Sequence, residues 1–301
     1  MSLNAALDNT APANAPALPA VAGRSPLQDA WRRFLRHRSA VVSLCILLAM
    51  LLACVVGPWL LPHRFDTTDW DALSLAPSWS NGHWLGTDEL GRDVLARTLI
   101  GGRVSLMVGA LGAAAATLLG VAWGATAGFL GGRIDNAMMR VVDMLYAIPY
   151  LLIAILVITL FGRDFYLVVL VITAFSWMDM ARIVRGQTLA LRSREYVEAA
   201  HAIGVPTRRI ILRHIVPNLL GVVVVYTAVI VPGVMLSESV LSFLGLGVQE
   251  PMTSWGVLIQ EGANVMEATP WLLLGPAAFL SLTLMCGNYL GDGLRDAFDP
   301  R

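Results

Sequence analysis

The side chains that usually carry chemistry are scarce here and badly spaced for it. All 21 basic residues are arginine, and there is no lysine anywhere in the 301 residues. A Walker A phosphate loop, a Schiff base and a pyridoxal enzyme each need a lysine amine, so the chain can be none of these and cannot hydrolyse ATP alone. Cys45, Cys54 and Cys286 sit in apolar runs, where cysteine behaves as a small buried hydrophobe rather than a disulfide or metal ligand. His37, His63, His83, His201 and His214 lack the spacing of a zinc site.

One polar stretch is patterned, from Arg182 to Pro217. Residues 194–203 have helix-forming composition, Gly204 breaks the pattern, Pro206 suits the first turn of a new helix, and Ile210, Ile211 and Ile215 resume an apolar face. This predicts two short helices meeting at a glycine corner. Seven arginines flank them, Arg208 and Arg209 among them. An ordered basic hairpin between two apolar segments reads as a docking surface rather than a spacer.

The rest of the chain must hold that hairpin in a membrane. Hydrophobic residues make up 56% and charged residues 14%, against about 25% charged in a typical soluble domain. Zero net charge argues against a nucleic-acid partner. The intervals 39–61, 104–130, 144–162, 215–237 and 268–291 contain no ionisable residue except tyrosine and cysteine. Each is close to the roughly 20 residues needed to cross a bilayer as a helix. The shorter interval 165–178 can continue helically through Asp179, Arg182 and Arg185, with Asp179 and Arg182 pairing along one face. The expectation is an all-α membrane protein with six spans.

Placing the N-terminus in the cytoplasm puts 16 arginines inside and five outside, so both termini are expected there. Residues 62–103 become an external loop, 104–291 a membrane core with a coupling loop at 182–217, and 292–301 a cytoplasmic tail. The four acids of 238–270, with no arginine, suit a second external loop. The Ala- and Pro-rich residues 1–26 suggest disorder, and 27–38 a basic amphipathic helix with Leu27, Trp31, Phe34 and Leu35 near one face. Gly120, Gly124 and Gly128 repeat every fourth residue, which lets helix backbones approach closely within the subunit or against another. No ionisable residue lies near the middle of a span, against the expectation for an ion-coupled transporter.

Glu198-Ala199-Ala200, Gly204 and Pro217 together resemble the EAA loop of ABC-importer permeases, with His214 and Val216 where the family usually has Ile and Leu. The segments 83–94, with Gly86, Asp88, Gly91, Arg92 and Asp93, and 291–296, followed by Asp299-Pro300, are similar to the C-type permeases of dipeptide and oligopeptide importers. Segments 176–187, 241–247 and Trp255-Gly256 lean toward the oligopeptide members. Asp88 and Asp93 also suit helix caps, and Asp292 the end of the sixth span. The resemblance implies a type I importer core of five helices with one extra N-terminal helix. It also implies a sister permease, two ATPase subunits that carry the ATP and magnesium, and an extracytoplasmic peptide-binding protein. Carried over, Glu198 meets basic groups of the ATPase, Ala199 and Ala200 permit close approach, and Gly204 turns the corner. Dipeptides, glutathione or nickel are the alternative cargoes within the family.

Overall fold

The computed structural model describes residues 26–298. The segment expected to be disordered, apart from Pro26, and Asp299-Pro300 lie outside them. The described residues form helices α1 (Pro26–Arg36), α2 (Arg38–Leu60), α3 (Val94–Leu130), α4 (Gly132–Tyr146), α5 (Tyr150–Phe161), α6 (Phe165–Arg192), α7 (Glu195–Ala202), α8 (Thr207–Ile210), α9 (Val216–Leu241), α10 (Trp255–Asn264) and α11 (Trp271–Phe298). Five are long and apolar enough to cross a membrane, counting 207–246 as one helix, or six if the bent pair α4 and α5 is one span.

Helix α3 is the axis of the bundle. Asp93 caps it by accepting from the Ala96 N–H at 2.7 Å, which starts the helix at Val94 and moves residues 94–103 out of the expected loop. Small residues then let three neighbours close on its successive turns. At Gly102 an added Cβ would lie 2.5 Å from Cys54 Sγ of α2, at Gly112 2.8 Å from Val234 of α9, and at Gly128 2.8 Å from the Arg185 carbonyl of α6. Gly120 and Gly124 meet Met180, Ala181 and Val184, so the four-residue repeat faces α6 within this subunit. Lipid tails are as apolar as leucine, so close backbone approach, more than water exclusion, holds such helices together.

Other expectations give way to the tertiary structure. The third crossing is not one helix over 144–162. Pro149 cannot donate a backbone hydrogen bond, and α4 and α5 bend by 76° across residues 147–149. Asp179 and Arg182 do not pair with each other. Arg182 donates to Asp143 at 2.8 Å and lies over the Tyr146 ring, while the Tyr146 hydroxyl donates to Asp179. With Arg185 held by Asp135 at 2.5 and 2.7 Å, these contacts fasten α4 along α6. In α1, Phe34 is buried with Ala40 and Ala297, whereas Trp31 and Leu35 are exposed. Cys54 and Cys286 are buried, and Cys45 is exposed.

Candidate functional site

The patterned stretch folds as a hairpin on the end of the bundle where α3 finishes. Helix α6 ends at Arg192, two residues turn the chain, and α7 begins with Glu195 and Glu198 in its first turn, where acids suit the helix dipole. Its far end is a Schellman cap. The Gly204 N–H bonds to the His201 carbonyl at 3.0 Å and the Val205 N–H to the Ala200 carbonyl at 3.1 Å. Gly204 sits at φ +81°, the left-handed conformation that this cap requires. Pro206 then opens α8. The second helix of the hairpin is not short, however: it runs through a π-turn at Ile211–Ile215 straight into α9, as one helix from Thr207 to Leu246.

The two faces of α7 differ sharply. Val197 and Ala200 point inward, packing with Ile210 and Ile215 against Ala125, Phe129, Met180, Val184 and Leu219. Ala200 therefore seats the hairpin on its own bundle, and the expected partner-facing role falls to Ala199, which is exposed. Glu198 is exposed beside Ala199, and Ile203 is 80% exposed at the corner. Among the described residues Glu198 has no ion-pair partner. It lines a cleft of about 500 Å³ with Phe129, Arg192, His201 and Thr207. Arg208 and Arg209 are exposed too, but Arg208 lines a different, mostly apolar cleft between α3 and α9. The structure thus groups Glu198 with Ala199 and the corner, and sets Arg208 apart.

Sequence reasoning missed the polar network at the opposite end. Arg97, on the first turn of α3, is buried and donates to Asp88 at 2.7 Å and to Glu261 of α10 at 2.8 and 3.2 Å. Arg92 joins Asp88 to Glu250 at 2.7 Å each. The hydrogen bond from Arg92 holds the Glu250 carboxyl below the usual glutamate range. His83 contacts Asp93 at 2.9 Å. Glu238 does not open an external loop: it is 1% exposed on α9, accepting from Ser242 at 2.6 Å and Ser105 at 3.2 Å. Ser105 in turn accepts the Trp255 N–H, and Trp255 Nε1 donates to the Thr98 carbonyl. Residues 250–264 are thereby riveted to α3. The four-residue spacing of Asp93 and Arg97 was the available signal for an early start to α3.

No group of three or more potential metal ligands occurs among the described residues. What the fold presents is a bundle of membrane-crossing helices with a rigid hairpin at one end, the form of a membrane permease subunit. Residues 120–301 match the family described as binding-protein-dependent transport system inner membrane component, and 25–77 match the N-terminal membrane domain of oligopeptide transport permease C. The chain is 52% identical to an oligopeptide transport system permease protein of Haemophilus influenzae, over 93% of this chain and 90% of that one. It is 52% identical to the Escherichia coli K12 protein of that name, over 93% of both. To a dipeptide transport system permease of Bacillus subtilis it is 45% identical, over 91% of this chain and 85% of that one. The chain belongs to the binding-protein-dependent permease family, whose members are non-catalytic membrane subunits of ABC transporter complexes.

Proposed function

We propose that the chain is a permease subunit of an ATP-driven oligopeptide importer in a bacterial cytoplasmic membrane, with both termini inside. It pairs with a sister permease, two ATPase subunits that bind the ATP and magnesium, and an extracytoplasmic peptide-binding protein. The observation that carries this reading is the face of α7: an exposed acid with no ion-pair partner among the described residues, beside a small residue, on a helix fixed to the bundle.

The mechanism follows from that fixation. A push on α7 cannot be absorbed locally, because Val197 and Ala200 lie in the same apolar cluster as Phe129 of α3, Val184 of α6 and Leu219 of α9. Only two residues separate α6 from α7, and α8 continues into α9. ATP-driven closure of the ATPases would therefore move α6 and α9 together and reorient the path. Coupling requires that the ATPases bind the two permease states with different free energies, and α7 is where that difference would be read. Between Val216 and Ser237 α9 carries no Asp, Glu, Arg or His, which suits passage of peptides with varied side chains.

The test is reconstitution. The chain expressed with its partners should copurify with the ATPases and show ATPase activity stimulated by oligopeptide-loaded binding protein, whereas the isolated chain should not bind ATP. Stimulation by dipeptides or nickel but not by longer peptides would refute the cargo, and stoichiometric ATP binding to the isolated chain would refute the division of labour.

A further inference from the structure

The segment between α2 and α3 carries an aromatic surface that the transport reading leaves unused. Trp79 is 84% exposed and lies 5.7 Å from the Trp84 ring, and at the end of α2 Trp59 and Leu60 are also largely exposed. We infer that the turn at 78–84, together with Trp59 and Leu60, is a lipid-embedding surface, seated in the phospholipid headgroup layer at the α2 end of the bundle.

Position is the first argument. The turn closes on itself through the Ser78 N–H bonded to the His83 carbonyl at 3.0 Å. It is then pinned to the membrane exit of α2: His83 stacks on His63 at 4.0 Å, and a Cβ on Gly82 would lie 3.2 Å from His63 Nε2. The contact of His83 with Asp93 fixes the same turn to the start of α3. His63 is only three residues beyond Leu60, within about 10 Å of chain. Hydrocarbon of about 30 Å inside a bilayer of about 40–45 Å leaves a headgroup layer of roughly 5–8 Å on each side. The tryptophans are held at that level.

Chemistry is the second. Residues 77–86 contain no Asp, Glu or Arg, so no carboxylate or guanidinium of this turn is placed among the lipid headgroups. An indole has an apolar body and one N–H, which favours the membrane–water boundary over either phase. Arg103 marks the boundary from inside: it lies over the Trp59 ring and donates to the Cys54 and Val55 carbonyls at 2.6 and 2.7 Å. The turn abuts the apolar end of α2, where a Cβ on Gly82 would lie 3.8 Å from Pro62 Cγ, and that adjacency favours lipid as its occupant.

The test is fluorescence quenching of the full chain in nanodiscs of phosphatidylcholine brominated either near the top or near the end of the acyl chain. The emission lost in Trp79→Phe/Trp84→Phe, taken as a difference from wild type, should be quenched more by shallow than by deep bromines and resist aqueous iodide. A bimane on Ser80→Cys, in a cysteine-free background, should shift to the blue on transfer from detergent to nanodiscs, which reads the same placement without altering either tryptophan. Emission indifferent to bromine and quenched by iodide like free indole would overturn the inference. Shielding that appears only on adding the binding protein would also overturn it, because the surface would then be a protein-docking site.

Discussion

Substitution of Gly124 by valine tests the packing that keeps the hairpin attached to the bundle. Built on the existing backbone, the new Cβ falls onto the Ala181 carbonyl oxygen, 2.9 Å from Val184 Cβ and 3.0 Å from the Arg185 nitrogen. Two of these three are backbone atoms, so no side-chain rotation relieves the clash and α3 must move away from α6. Overpacking of this kind costs about 1–3 kcal/mol, an equilibrium change of roughly 5- to 150-fold. Gly186 on α6 is the control, since a Cβ there meets nothing within 4 Å. Thermal unfolding in detergent, followed by size-exclusion chromatography, should show a lowered midpoint for Gly124→Val and little change for Gly186→Val. Equal midpoints for Gly124→Val and wild type would refute the close α3–α6 contact, and an equal loss in Gly186→Val would refute its being specific to that seam.

Arg97→Met should destabilise the protein by about 1–3 kcal/mol, since it leaves Asp88 with Arg92 as its remaining guanidinium partner and frees Glu261; the unfolding midpoint and protease sensitivity of residues 62–93 report it. Glu250→Gln should be slightly less stable than wild type at neutral pH. The depressed carboxyl contributes stability above the ordinary glutamate pKa of about 4.3, so the difference should vanish as pH falls through the lower folded value, read from unfolding midpoints across pH. Gly204→Val, with no clash but a required positive φ, should strain the corner by about 1–3 kcal/mol and lower transport without changing membrane insertion, as measured by peptide uptake against membrane yield.

Much of the architecture was legible because charge is expensive in hydrocarbon. Four of the five long helices announce themselves as intervals free of Asp, Glu, Arg and His, and Gly204 marks its corner by residue type alone. Reading failed where a partner came from another element. Arg182 was given Asp179, three residues away, but the packing of α4 on α6 offered Asp143, and sequence spacing holds no information about that crossing. Glu238 was assigned to a loop because acids avoid lipid; of the two serines that accommodate it, Ser242 lies one turn on, but Ser105 lies on α3, far away in the chain. The break at Pro149 was visible as a proline, yet hydropathy summed over 144–162 is blind to a change of direction. In the hairpin, Ala199 and Ala200 look equivalent as letters, and only the helical phase against α3 and α6 separates outward from inward.

Charge reversal at Glu198 tests the docking role of α7 most directly. Glu198→Arg changes an exposed side chain outside the apolar cluster, so the chain should insert and fold as wild type does. Losing a charge pair at a desolvated contact costs about 2–5 kcal/mol, a weakening of ATPase binding of roughly 30-fold to several thousandfold. The measurement is assembly of the variant with the ATPases, together with stimulated ATPase activity. Both should fall, and an arginine-to-glutamate change in the ATPase groove should restore them in part. Normal assembly and wild-type stimulated activity in Glu198→Arg would contradict the account.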